Sequence, residues 1–182
     1  MIFENGKYYH VYNRSNNNEI VFRSEENYLF FLRKFKKHVQ PSCAIIAYCL
    51  MPTHFHLLVR VEIDTSRELN DQIAIMLRSY AHAINLKNNR HGSLFQQHTK
   101  AKFIDDESYL LTLINYIHQN PLRAKLVGNI ADWEYSSYLE LIGKRGGTLP
   151  DKNFLNQYFK TTADFEKYSQ EMILAVRKEY WI

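Results

Sequence analysis

The sequence predicts an α+β fold, and three observations carry that prediction. Two strand-like stretches, 43–51 and 54–61, flank one tight Pro52-Thr53 break. Two longer stretches, roughly 24–40 and 66–89, repeat apolar residues at intervals of three and four, the helical period. A further strand-like stretch precedes the first helix and another follows the second. The order is therefore strand, helix, strand, strand, helix, strand, which is the split βαβ arrangement of ferredoxin-like folds. Such an antiparallel sheet carries both crossover helices on one face and leaves the other for a ligand or an added helix.

Each element has a local reason. Lys7 to Arg14 (KYYHVYNR) is rich in β-formers and ends at the polar run Ser15 to Asn18. Ser24 suits a helix N-cap, with Glu25 and Glu26 at the positive end of the helix dipole. Tyr28, Phe31, Leu32, Phe35 and Val39 then form one apolar stripe, and Pro41 stops the helix. Cys43 to Met51 (CAIIAYCLM) is apolar on both faces, as a covered central strand would be. His54 to Val61 (HFHLLVRV) follows after so short a connection that the pair forms an antiparallel hairpin. Leu69, Ile73, Leu77, Tyr80 and Ile84 share one face of the next helix, which His91-Gly92 ends. Thr99 to Ile104 reads as the fourth strand. Asp105 or Asp106 then caps a helix expected to run to Asn120 and stop at Pro121. Residues 1–127 form the core in this reading. Residues 128–182, with helices expected around 151–159 and 162–180, form an appendage packed upon it.

Composition narrows the class. A chain of 182 residues with 46% hydrophobic and 23% charged residues is in the range of one globular domain, and neither disordered nor fibrous. No stretch approaches the roughly 18 apolar residues of a membrane span, and the first residues lack a basic-then-apolar leader, so a cytoplasmic protein is expected. Cys43 and Cys49 sit six residues apart in one strand, about 20 Å at roughly 3.3 Å per residue, so they read as free thiols. The net charge of +4 is concentrated in residues 1–60, which alone sum to +4 and are compatible with a polyanion partner. Thirteen Tyr and eleven Phe are numerous enough for some to stack on bases, although the core claims most.

The chemistry starts at His54-Phe55-His56. Alternate strand residues project to one side, so both imidazoles share a face, and Phe55, Leu57 and Val59 line the other. The apolar side suits the crossover helices, which sends the histidines to the open face. By itself an H-x-H pair is weak evidence for a metal site, since two hydrogen-bonded sheet histidines account for it more readily. On the helix expected to end at Pro121, Tyr109, Leu113, Tyr116 and Asn120 share a stripe. Laid over the open face, that helix would bring a phenol and an amide oxygen beside two imidazoles, although the helix alone reads more simply as carrying a half-buried tyrosine and an asparagine that ends it before proline. His118 lies two residues from Tyr116 and is expected to point elsewhere, into solvent. His10 shares a face with Tyr8, Tyr12 and Arg14, either as a nucleic-acid contact or as a hydrogen-bonded sheet residue.

Several motifs in order resemble a known family. His54-Phe55-His56 follows Ala47-Tyr48-Cys49-Leu50-Met51-Pro52-Thr53, and Tyr116 to Ala124 reads YIHQNPLRA. Leu94-Phe95-Gln96 and Trp133-Glu134-Tyr135-Ser136-Ser137-Tyr138 lie between and beyond them. Together, over about residues 7–140, they resemble the HUH single-tyrosine transposases, in particular the REP-associated branch. The resemblance implies cleavage of single-stranded DNA, with Tyr116 as nucleophile and His54 and His56 holding a divalent metal, Mg²⁺ or Mn²⁺. It places Asn120 as the third, amide-type ligand, with Gln119 as the alternative. It also implies DNA hairpins with a single-stranded 5′ guide as partners.

Two imidazoles and one amide leave open positions for phosphate oxygens, which suits phosphodiester chemistry. His10, Tyr12, Arg14, Lys100, Lys102, Arg123 and Lys125 flank the site in sequence and are the expected DNA contacts. A monomer is favoured over a dimer, because the appendage could cover the surface through which a minimal relative pairs. Two other readings use the same fold: a non-catalytic module that binds single strands through sheet aromatics, and a hydrolase that activates water instead of tyrosine.

Overall fold

The computed structural model describes residues 2–62 and 66–171. Its sheet runs β2-β3-β1-β4, built from β1 (Tyr8–Arg14), β2 (Cys43–Met51), β3 (His54–Val61) and β4 (Lys100–Phe103). All three pairings are antiparallel. This is the expected ferredoxin-like order, with β2 and β4 at the edges, so β2 is apolar on both faces without being central.

Helices α1 (Glu25–His38) and α2 (Ser66–Lys87) are the crossovers. They pack on one face of the sheet, against Phe55, Leu57, Val59, Val11 and Ile45, with Phe31, Phe35, Leu69, Ile73 and Tyr80 from the helices. Ser24 occupies the N-cap position of α1 but makes no side-chain cap bond. Instead, Asn27 Oδ1 accepts from Arg23 N at 3.1 Å.

The other face is covered by α3 (Leu110–Arg123), which packs on β2 and, to a lesser extent, β3. A short 3-10 turn, Glu107–Tyr109, leads into α3, and Asp106 caps it by accepting from Ser108 N at 3.0 Å. Pro121 does not end the helix, contrary to expectation, but lies inside it. A proline removes only its own N–H, which would have bonded the carbonyl four residues back. Here Asn120 Nδ2 reaches that carbonyl, Ile117 O, at 3.5 Å and Tyr116 O at 2.8 Å, so both keep a donor. The helix ends at Arg123, and Lys125 just beyond its C-cap takes a left-handed φ of 57°.

Residues 129–171 pack on the α3 side and along the open edge of β2. Leu50 N donates to Tyr135 O at 2.9 Å and Ser137 N to Tyr48 O at 3.0 Å, which gives the edge strand a partner. Tyr138, Leu141, Phe154 and Phe165 join one apolar cluster with Ile114 and Ile117 of α3 and Leu58 of β3. The stretch expected as a helix at 151–159 is a 3-10 segment, Lys152–Gln157, capped by Asp151. The next is α5 (Thr162–Gln170), after the single-turn α4 (Tyr138–Leu141). The remainder of the helix expected to reach residue 180 lies outside the described residues. Cys43 and Cys49 are buried free thiols.

Candidate active site

The register of the sheet assembles the site. β1 pairs Tyr12 with His56 and Arg14 with His54, while β4 places Lys100 against Tyr12 and Lys102 against His10. Directly paired residues point to the same face, so the imidazoles of His10, His54 and His56 and the ring of Tyr12 converge there. The rings of His54 and His56 lie 5.2 Å apart, centroid to centroid, at 80°. α3 then lowers Tyr116 onto this face, with its ring 5.8 Å from that of His56 and perpendicular to it. Tyrosine and histidines thus meet across 60 residues of sequence.

Each of the two β3 imidazoles has one nitrogen already held. Nδ1 of His54 lies 3.0 Å from Thr53 Oγ1, and Nδ1 of His56 lies 3.0 Å from His10 Nε2. Nε2 of His56 is buried and has no hydrogen-bond partner. A buried polar atom in that state has room for a partner that the protein does not supply, such as water or an ion. Burial, and then the Arg14 guanidinium, lowers the His54 pKa to about 4, and burial holds that of His56 well below the ordinary value. Both are therefore neutral at pH 7, the state in which an imidazole can bind a cation.

Among the described residues no three His, Cys, Asp or Glu side chains form a metal-holding group. Asn120 commits Nδ2 to the carbonyls of its own helix, which leaves Oδ1 as its acceptor atom. Gln119, the alternative, turns its amide nitrogen away from the histidines. It is buried, and Nε2 donates to Ser169 O at 3.1 Å and Glu171 O at 2.8 Å. One residue further along a helix is about 100° around it, enough to turn Gln119 toward α5.

The Tyr116 side chain is 6% exposed, and burial raises its pKa, with the nearby Arg123 guanidinium acting in the opposite direction. Arg123 stands 5.8 Å from the ring centroid, a cation facing the π surface. Lys100 stands in the same way 5.9 Å over Tyr12. Lys100, Arg123 and Lys125 are exposed, and Arg14 and Lys102 partly so, hence all five are able to meet a polyanion.

Two of the expected DNA contacts are corrected by burial. His10 is fully buried and Tyr12 is 4% exposed, so neither presents a surface to DNA. His10 is instead the hydrogen-bonded sheet histidine that its position also allowed. His118 is corrected too: it is not solvated but fully buried, with Nε2 2.8 Å from Ser137 Oγ and its pKa lowered to about 3 by burial. Ser137 Oγ also accepts from Tyr48 N at 2.9 Å, which ties the tyrosine helix to the sheet edge. Sequence reasoning missed Ser137, although the Trp133 to Tyr138 stretch had been singled out.

No family model matches the chain. A protein of Haemophilus influenzae provisionally named a REP-associated tyrosine transposase is 24% identical over 123 residues, 59% of this chain and 69% of that protein. Among solved structures, a REP-associated tyrosine transposase bound to a REP hairpin superposes with a TM-score of 0.64 at 18% identity. That superposition covers 83% of this chain and 91% of the other. In motif order, in sequence and in fold, the chain is similar to the REP-associated tyrosine transposases.

Proposed function

We propose that this chain is a metal-dependent single-stranded DNA endonuclease and strand transferase that acts on DNA hairpins through Tyr116. The observation that carries the reading is the meeting of Tyr116 with His56, whose Nε2 is buried with no hydrogen-bond partner. Oη of Tyr116 gives its proton to solvent and attacks phosphorus, the bond to the 3′ oxygen breaks, and that oxygen takes a proton from solvent in return. The products are a 5′-phosphotyrosine and a free 3′-OH. The ester conserves the energy of the broken bond, so a later 3′-OH attack rejoins strands and releases the tyrosine.

His54, His56 and Asn120 are the residues that would hold Mg²⁺ or Mn²⁺. Bound there, the cation supplies positive charge that polarises the scissile phosphodiester. Burial keeps the Tyr116 phenol protonated at rest, and Arg123 is placed to favour the phenolate as the proton leaves. Arg14, Lys100, Lys102, Arg123 and Lys125 take the phosphates of the substrate strand. A hairpin is the substrate class we assign, as the solved relative is bound to one. We read the chain as a cytoplasmic monomer. Among the described residues, no helix is long and apolar enough to cross a membrane.

The test is to incubate the protein and its Tyr116→Phe variant with Mn²⁺ or Mg²⁺ and labelled single-stranded hairpins from the flanks of its own gene. A metal-dependent covalent DNA adduct formed by the wild type alone is expected. Equal binding by both without an adduct would point to a binding module. Cleavage by both would move the nucleophile to water.

A further inference from the structure

We propose that His10 is a positioning residue that fixes the tautomer and ring orientation of His56, so that the Nε2 lone pair of His56 faces the site. The inference rests on the cation reading above. A neutral imidazole has one N–H and one lone pair. If Nε2 of His56 is to accept a cation, its proton must sit on Nδ1, and a buried N–H there needs an acceptor. His10 Nε2, 3.0 Å away, is that acceptor. The two rings are within 7° of parallel with centroids 5.2 Å apart, so the bond lies close to the ring planes, where imidazole N–H and lone pair both point.

The fold makes this arrangement rigid. His10 is two residues from Tyr12 on β1, and Tyr12 is the register partner of His56, so His10 reaches His56 diagonally across one strand pair. Its ring also packs on that of Tyr12 at 4.8 Å, and both residues are buried. Thr53 Oγ1 stands in the same relation to Nδ1 of His54. The two differ in that Thr53 is adjacent in sequence, whereas His10 is held by the sheet. Such outer partners of ligating histidines set orientation and basicity, and their loss costs roughly 10–100-fold in metal affinity.

Two substitutions separate the acceptor from the space it fills. His10→Phe keeps an aromatic ring and removes the acceptor, whereas His10→Gln returns an acceptor oxygen. Long-range ¹⁵N–¹H spectra of the full chain report the His56 tautomer directly, and Mn²⁺ titration followed by electron paramagnetic resonance reports affinity. We expect wild-type His56 to be protonated at Nδ1, and His10→Phe to lose that signature and bind Mn²⁺ about 10–100-fold more weakly. His10→Gln should recover most of both, and thermal melts confirm that each variant is folded. A wild-type His56 protonated at Nε2, or a His10→Phe variant with unchanged tautomer and Mn²⁺ affinity, would overturn the proposal. Wild-type protein with the expected tautomer but no Mn²⁺ binding would refute the cation reading and leave the role of His10 in orienting His56 supported.

Discussion

The two faces of β3 differ in what they bury. Phe55, Leu57 and Val59 point one way into an apolar layer under α1 and α2, while His54 and His56 point the other way toward α3. The apolar face gains from burial without directional demands, so it tolerates any packing that fills space. The imidazole face gains nothing from burial alone, because each buried polar atom costs free energy until it is paired. That is why the second face is rich in named contacts, His10 to His56, Thr53 to His54 and Ser137 to His118, and the first in ring packing. One face holds the strand in place, and the other uses that rigidity to aim side chains.

Substitutions can break the contrast, and the largest effect is expected on the polar face. Tyr116→Phe should abolish the covalent adduct while leaving hairpin affinity and melting temperature nearly unchanged, as read on denaturing gels and by calorimetry. On the apolar face the opposite holds. Phe55→Ala empties a fully buried site and should cost about 3–5 kcal/mol in urea unfolding, with any loss of activity tracking the unfolded fraction.

Acid sharpens the comparison, since the titrating groups lie on the α3 side. His10 and His118 have folded pKa values of about 3, depressed by burial, against an ordinary value of 6.5. Between those limits the unfolded chain binds more protons, so each imidazole lowers stability as pH falls from 6.5 toward 3. Above pH 6.5 they add no pH dependence. Urea midpoints should fall across that window, and His118→Asn should flatten the slope by one imidazole's share; a flat wild-type profile would refute the assignment.

Ser137→Ala is a smaller break. It removes the oxygen that accepts from Tyr48 N and pairs with His118, so a cost of about 1–3 kcal/mol is expected in the same unfolding measurement. Smallest is Lys100→Ala, which should weaken hairpin binding several-fold, equally for all sequences. It should also lower the slope of log affinity against log salt by about 1.

Much of this was legible before the structure. The strand boundaries of β2 and β3 and the shared face of the two histidines follow from period-two alternation, a property of the chain alone. The stripe that carries Tyr116 and Asn120 follows likewise from helical spacing. The errors have one source. Pro121 reads as a terminator because sequence shows the missing N–H but not the Asn120 side chain that takes its place. His118 and Gln119 read as solvent-facing or available because the sequence does not show that residues 129–171 pack on α3. His10 and Tyr12 share a strand face that sequence leaves open, and their burial there comes from the neighbours that the sheet register brings together.

The sequence by itself determined the order of elements, the alternation that segregates histidines from phenylalanines, and which residue types are available for chemistry. These are local properties, set by backbone period and side-chain type within a few residues. Only the tertiary structure decided which polar groups meet: His10 with His56, Ser137 with His118, Tyr116 over His56. Those pairings depend on sheet register and on how a helix seats across strands, and a shift of one residue in register would turn every one of those strand side chains to the opposite face.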